Sequence, residues 1–225
     1  MNRLSMNRLS FARLCRLGAA GLLLALAGCG ALRPPAASQP AFYSLDSVRI
    51  EPRAAATLPQ TAPTLIVNPP HAASGFDSQR IIYARAAHQL EYFAHSEWVD
   101  TPARMLAPLI VSAVEHGGAF RAVVLTPSAA AGDLRLDSEI VRLQHDFISP
   151  PSRVRFTLRA YLVDNNTRRV LATREFDTSV AASSEDTYGG VVAANQAVQT
   201  VLKQLADFCA ETALSRGSQD AASKH

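Results

Sequence analysis

The chain has 225 residues, 22 of them basic and 19 acidic, and 48% of it is hydrophobic, which excludes a wholly disordered polypeptide. Four arginines (Arg3, Arg8, Arg13, Arg16) fall in the first 28 residues, where no acidic residue occurs; the remainder carries 18 basic against 19 acidic residues, a balance of −1. A nucleic-acid binder needs a basic surface on its folded domain, so no nucleic-acid partner is expected.

The N-terminus repeats Met-Asn-Arg-Leu-Ser at 1–5 and 6–10, which makes both Met1 and Met6 candidate starts. An apolar run follows from Leu17 to Ala27. As a helix it reaches only ~16 Å, about half of a hydrocarbon core. A basic stretch before a short apolar run reads as a secretory signal and not as a membrane span. The run closes on Leu26-Ala27-Gly28-Cys29, which resembles a bacterial lipobox. Ala27 and Gly28 suit a narrow peptidase site, and the Cys29 thiol accepts a diacylglycerol after cleavage between Gly28 and Cys29. Two acyl chains suffice for stable anchoring, at about 0.8 kcal/mol per buried methylene. Position 30 is Gly and not Asp, which by the usual sorting convention of Gram-negative cells directs a lipoprotein to the outer membrane, with its domain in the periplasm. Cys15 leaves with the signal and Cys29 is consumed by lipid. Cys209 remains alone, so no intramolecular disulfide is expected, and its apolar-periodic setting reads as a partly buried helix position.

The expected layout is a signal peptide over 1–28, a lipidated tether over 29–41, a folded domain over 42–215 and a disordered tail over 216–225. The tether holds Pro34, Pro35 and Pro40 among small residues and has a maximum reach of ~40 Å. Phe42 to Val48 reads as a first strand, 51–63 as a loop, and Thr64 to Asn68 as a second strand stopped by Pro69-Pro70. Arg80–Ala84 and Gln89–Ala94 are β-prone and read as a hairpin. Asp100-Thr101-Pro102 starts a helix, Leu106, Leu109, Ile110, Ala113 and Val114 give it one apolar face, and Gly117-Gly118 ends it. Pro108 inside it is a candidate kink. Phe120 to Leu125 is a strand. From 133 to 147, Leu134, Leu136 and Ile140 share one parity and Leu143 and Phe147 the other, which predicts a β-bulge near Ile140-Val141. Val154, Phe156, Leu158, Ala160 and Leu162 then alternate with polar residues, the signature of a strand with one buried and one wet face. A turn at Asp164–Thr167 leads to a last strand from Arg169 to about Val180. Ser184–Thr187 offers caps for a final helix whose stripe is Val191, Ala194, Val198, Val201, Leu202, Leu205 and Phe208. The fold class is therefore α+β: a single compact domain with an antiparallel meander packed against two main helices.

Catalytic signatures are absent: no Gly-x-Ser-x-Gly elbow, phosphate-cradling glycine loop or His-Glu-x-x-His occurs, and neither cysteines nor histidines show metal spacing. No enzyme activity, cofactor or metal is expected. His95 and Glu97 beside Trp98 could be drawn as an acid/base pair, but an exposed loop histidine is the preferred reading. Arg153, Arg155 and Arg159 on the wet face of their strand are candidates for an acidic partner or anionic headgroups. The competing reading, cross-strand pairing with Glu175 and Asp177, is favoured.

A series of segments carries a resemblance. Phe42-Tyr43-Ser44-Leu45 behind the lipobox is followed by Leu65-Ile66-Val67, Arg80-Ile81-Ile82-Tyr83 and Glu97 through Leu106. Gly118-Ala119-Phe120, Ala131 through Leu136, Val170 through Phe176 and the closing helix complete the order. This set, from about 42 to 212, resembles the ABC-type transport auxiliary lipoprotein family. The resemblance implies a compact α+β domain and no catalytic residues. It implies work beside MCE-domain proteins, an ABC permease and an ATPase that move phospholipids or other apolar molecules between two membranes. It further implies an outer-membrane-side component that docks the periplasmic conduit through an MCE-domain partner. Tyr83, Tyr92 and Trp98 are candidates for that partner surface, because aromatic residues are enriched at hot spots; core or hairpin packing is the competing and favoured reading. A structural envelope-assembly lipoprotein, or a periplasmic lipid carrier without an ABC partner, is the alternative function. The residues are compatible with a homo-oligomer, and none of them demands one.

Overall fold

The computed structural model describes residues 39–46 and 62–222. The signal segment, Cys29, most of the tether and the residues from Ser47 to Thr61 lie outside that description, as do the expectations attached to them. From Pro40 onward the chain forms one compact unit.

The organising strand is β7 (Leu134–Asp146). Along one edge it pairs antiparallel with β8 (Arg153–Asp164) over its whole length, and β8 pairs antiparallel with β9 (Val170–Ala181). This is the meander expected from the alternating sequence. The other edge of β7 is shared end to end by three short parallel strands: β2 (Thr64–Val67) at Leu134–Leu136, β3 (His71–Ala72) at Glu139–Ile140, and β4 (Arg80–Ala86) at His145–Asp146. Pro69 and Pro70, which have no N–H to donate, separate β2 from β3. Two branches leave this row. β6 (Ala122–Leu125) pairs parallel with β2, and β5 (Gln89–Trp98) pairs antiparallel with β4 and parallel with β1 (Ala41–Tyr43). The sheet is therefore mixed, with a parallel part that sequence patterning did not supply. The first strand is also shorter than expected, ending at Tyr43.

The predicted bulge is present. Ile140 faces Leu158 and Arg142 faces Thr157, which leaves Val141 as the extra residue. Leu134, Leu136 and Ile140 before the bulge and Leu143 after it are all buried, so the extra residue keeps both halves of a long strand facing one core. The β4–β5 hairpin turns at Ala87-His88, and His88 takes the left-handed conformation (φ 66°) usually given to glycine.

Helix α1 (Pro102–Gly117) starts with proline at its first turn and ends at Gly118, whose φ of 65° is the left-handed cap a side chain disfavours. Thr101 holds the N-cap position without a side-chain hydrogen bond. The helix runs unbroken through Pro108: Pro108 and Arg104, whose carbonyl loses its i+4 donor, both lie on the exposed face, where water can serve that carbonyl. Helix α2 (Thr187–Ala222) is capped by the Asp186 carboxylate, which accepts the Gly189 N–H at 2.8 Å. Every residue of its predicted stripe is buried, joined by Ala197 and Cys209. Residues 216–222, expected to belong to a disordered tail, lie in this helix, which continues through Gly217 to Ala222. The Ser215 and Ser218 hydroxyls bond to the carbonyls of Glu211 and Leu214, so polar residues there sit within helical geometry.

Helix α2 lies on β8 and β9 and against α1, and its stripe meets the inward row Val154, Phe156, Leu158, Ala160 and Leu162. Asn195 of α2 also reaches the start of the domain. Its Oδ1 accepts the Asp46 N–H at 3.0 Å and its Nδ2 donates to the Ser44 carbonyl at 3.2 Å, while Leu45 between them is buried.

Phe156 is fully buried at this interface. Phe156→Ala is expected to lower stability by about 3–5 kcal/mol, read from the shift of the urea midpoint at constant slope. Ending the chain before Tyr188 is expected to abolish cooperative unfolding, since several large side chains at ~1.5–3 kcal/mol each rival a total stability of ~5–15 kcal/mol. A soluble truncated chain with one sharp melt would show that α2 is dispensable to the core.

Candidate functional site

The wet face of the meander carries the three candidate arginines. Cross-strand register sets Arg159 opposite Glu175 and Thr157 opposite Asp177. Arg159 contacts Glu175 at 2.7 Å and Glu139 of β7 at 3.3 Å. Arg155 reaches Asp177 diagonally at 3.3 Å, and Arg153 donates to the Ser179 side chain and carbonyl at 2.9 Å. The Thr157 hydroxyl, donating at 2.6 Å, and the Arg155 guanidinium hold the Asp177 carboxyl below its ordinary value. Arg155 and Arg159 thus have the acidic cross-strand partners favoured from sequence, whereas Arg153 bonds Ser179. Each pair is part-exposed, so each contributes little stability, about 0–1 kcal/mol. Its larger effect is to order a mixed-charge surface.

The three aromatic candidates are not brought together on one surface. Trp98 is 3% exposed in the core, and its backbone pairs with β1 at Tyr43. Tyr83 is 8% exposed, with its ring 4.6 Å from Phe93 and its hydroxyl donating to Glu91 at 2.9 Å. That carboxylate and burial hold the phenol above its ordinary value. Trp98 and Tyr83 are therefore packing residues in this fold, the reading preferred for them over a partner surface. Tyr92 alone is presented to solvent, under the Arg80 guanidinium at 4.0 Å from the ring centre. His95 is exposed on β5 and not in a loop. An open depression of about 440 Å³ lies between the β4–β5 turn and the β7 bulge, lined in part by Leu90, Val141, Arg142 and Ile148.

Sequence reading passed over the most unusual polar group, His145. It lies near the end of β7, is 3% exposed, and its Nε2 is 2.8 Å from the Ser152 hydroxyl. Ser152 is itself fully buried and donates its N–H to Glu185 at 2.9 Å. His145 Nδ1 has no protein hydrogen-bond partner. It faces Gly190 in the first turn of α2, where an added Cβ would come within 2.3 Å of Nδ1. Burial lowers the histidine's proton affinity, against the pull of Glu185, Asp146 and Asp186. A serine, a histidine and a glutamate meet here, but in the wrong order for nucleophilic catalysis. The acid holds the serine's backbone instead of orienting the imidazole, and the serine is sealed from solvent. The only sequence signal was parity, which places His145 on the buried side of β7 after the bulge.

Cys209 is buried, and desolvation pushes its thiol up to about 12. Among the described residues no cluster of three or more His, Cys, Asp or Glu side chains could hold a metal, and no helix is long and apolar enough to cross a membrane.

The fold and these surfaces define a single-domain α+β protein. The family model for the ABC-type transport auxiliary lipoprotein component matches residues 43–206, and the chain belongs to that family. Among solved structures it is similar to protein XCC0632 from Xanthomonas campestris, at 27% identity and a TM-score of 0.68, over 80% of this chain and 98% of that one. It also shares the fold of an uncharacterized protein at 12% identity and a TM-score of 0.57, over 77% of this chain and 97% of the other. No curated protein matches the chain.

Arg159→Ala is expected to reduce stability by no more than about 1 kcal/mol, and high salt should shrink the difference. Cys209 should resist a thiol reagent in the native chain at neutral pH and react fully in denaturant; fast native labelling would contradict its placement in the core.

Proposed function

We propose that this chain is an outer-membrane-anchored, periplasmic accessory lipoprotein of an MCE/ABC-type intermembrane lipid transport system, held by a diacylglyceryl Cys29 and acting by docking the transporter's periplasmic MCE-domain component. The observation that carries this reading is the family match over 43–206 standing directly behind Leu26-Ala27-Gly28-Cys29. A lipid anchor holds the chain at one membrane, and a tether of ~40 Å reach lets the domain meet a conduit arriving from the other side. The charge of −1 outside the signal segment gives weak long-range attraction to anionic headgroups, which favours a protein partner over the membrane surface. Tyr92, Arg153, Arg155 and Arg159 are the candidates that remain on the surface, whereas Tyr83 and Trp98 do not. The role is docking and not catalysis, in keeping with the family's auxiliary description and with the sealed, misordered Ser152–His145–Glu185 group.

Cys29→Ser is expected to abolish incorporation of radiolabelled fatty acid and to leave the precursor at the inner membrane; equal labelling of both chains would refute the anchor. Residues 41–225, produced without the tether, should crosslink and co-elute with the periplasmic domain of the MCE partner. Stoichiometric phospholipid by mass spectrometry, with no partner binding, would instead make the protein a lipid carrier.

A further inference from the structure

Helix α2 does not end its contacts with the sheet at the apolar stripe. Its first turn is tied to the far end of β7 through a buried polar group. His145 Nε2 meets the Ser152 hydroxyl, Ser152 N–H meets Glu185, and Asp186, the next residue, caps the helix at Gly189. His145 also stacks on Phe147, with ring centres 4.0 Å apart. The ring therefore joins the segment Phe147–Ser152 to the start of α2.

The protonation state of that ring matters because of what surrounds Nδ1. With Nε2–H donating to Ser152, Nδ1 carries a lone pair and needs no acceptor. Its neighbour is the Cα of Gly190, and the adjoining cavity, which also borders Trp98 and Val191, has a volume of about 10 Å³. That is at most the space of one water and too small for a counter-ion. A proton on Nδ1 would place a cation with a new donor against the positive end of a helix. The titratable groups facing it are Asp146 on its own strand, Tyr83 paired beside it on β4, and Glu185 and Asp186 at the start of α2; β8 presents Val154 and β5 presents Phe93. Glu185 and Asp186 are already engaged with the backbone of Ser152 and Gly189. Neither makes a hydrogen bond to Nδ1 in this conformation.

We propose that His145 is a proton-operated latch: neutral, it holds the first turn of α2 and the Phe147–Ser152 segment on the sheet, and protonated, it releases both. The direction follows from linkage. In the closed state burial depresses the imidazole's proton affinity, and in the open state it returns toward 6.5. The open state thus binds the proton better. The latch is complete above pH ~6.5 and weakens as pH falls below it, by up to about tenfold in the opening equilibrium per pH unit. The carboxylates at Asp164, Asp177, Glu185 and Asp186 are held below their ordinary values and act at lower pH.

Hydrogen exchange by mass spectrometry on the full chain in mild detergent, corrected for intrinsic rates, tests this between pH 7.5 and 5.5. Peptides covering 147–152 and 187–191 should lose protection on acidification, while those of the β7–β8 pair keep theirs. His145→Gln retains a donor to Ser152 and cannot titrate, so its exchange should be independent of pH over this range. Unchanged wild-type protection, or a pH-dependent loss that persists in His145→Gln, would overturn the latch. Should that variant misfold, Glu185→Gln keeps an acceptor for Ser152 but removes a charge that favours protonation. The closed-state proton affinity then falls further below that of the open state, so the opening should move to higher pH, and a shift to lower pH would also overturn the latch.

Discussion

Everything in this domain depends on one burial event: the apolar stripe of α2 closing on the inward row of β8. Phe156, Leu158, Ala160 and Leu162 on the strand and Val198, Val201, Leu202 and Leu205 on the helix are essentially removed from water. β8 hydrogen-bonds β7 along its full length, and β7 in turn supplies the edge on which β2, β3 and β4 are laid. Burying the β8 face therefore orients every other strand. The Val141 bulge is the local adjustment that allows it, since a strand as long as β7 without one would turn its second half away from the helix.

The opposite face of the meander obeys a different constraint. It stays in contact with water, and strand pairing places acidic and basic side chains within reach of one another. Arg159 lies between Glu139 and Glu175, and Arg155 reaches Asp177. These contacts add little stability but leave a surface of balanced charge. A surface of balanced charge exerts only a weak long-range field, so recognition there rests on shape and local pattern. The start of the domain is fastened independently, by β1 pairing and by Asn195 on Ser44 and Asp46.

The polar group around His145 shows how buried polarity concentrates where two constraints meet. The first turn of α2 approaches the sheet so closely that only glycine fits at 190, and the imidazole fills the remaining space. Its polar atoms are then satisfied only in part, and burial disfavours its charged form. A hydrophobic residue would pack there without dependence on pH. The histidine makes the junction between helix and sheet sensitive to protons.

The sequence alone determined whatever depends on residues close along the chain. The period of two over Val154–Leu162 and the helical period over Val191–Phe208 reported which faces are buried. A parity reversal located the bulge, and a proline in the first turn of α1 with a glycine after its last turn marked its limits. Short-range chemistry also singled out Cys29 and carried the family resemblance. Tertiary structure decided whatever depends on partners distant in the chain. The parallel placement of β2, β3 and β4 on one edge of β7 left no local signature, because the residues that pair there lie some sixty to seventy positions apart. Tyr83 and Trp98 are as apolar at a surface as in a core, and only packing assigned them to the core. His145 was one histidine among six until the close approach of Gly190, the hydroxyl of Ser152 and the carboxylate of Glu185 gave it its setting. Periodicity encodes which face is buried, but the environment of a single polar side chain is set by atoms from segments that meet only on folding.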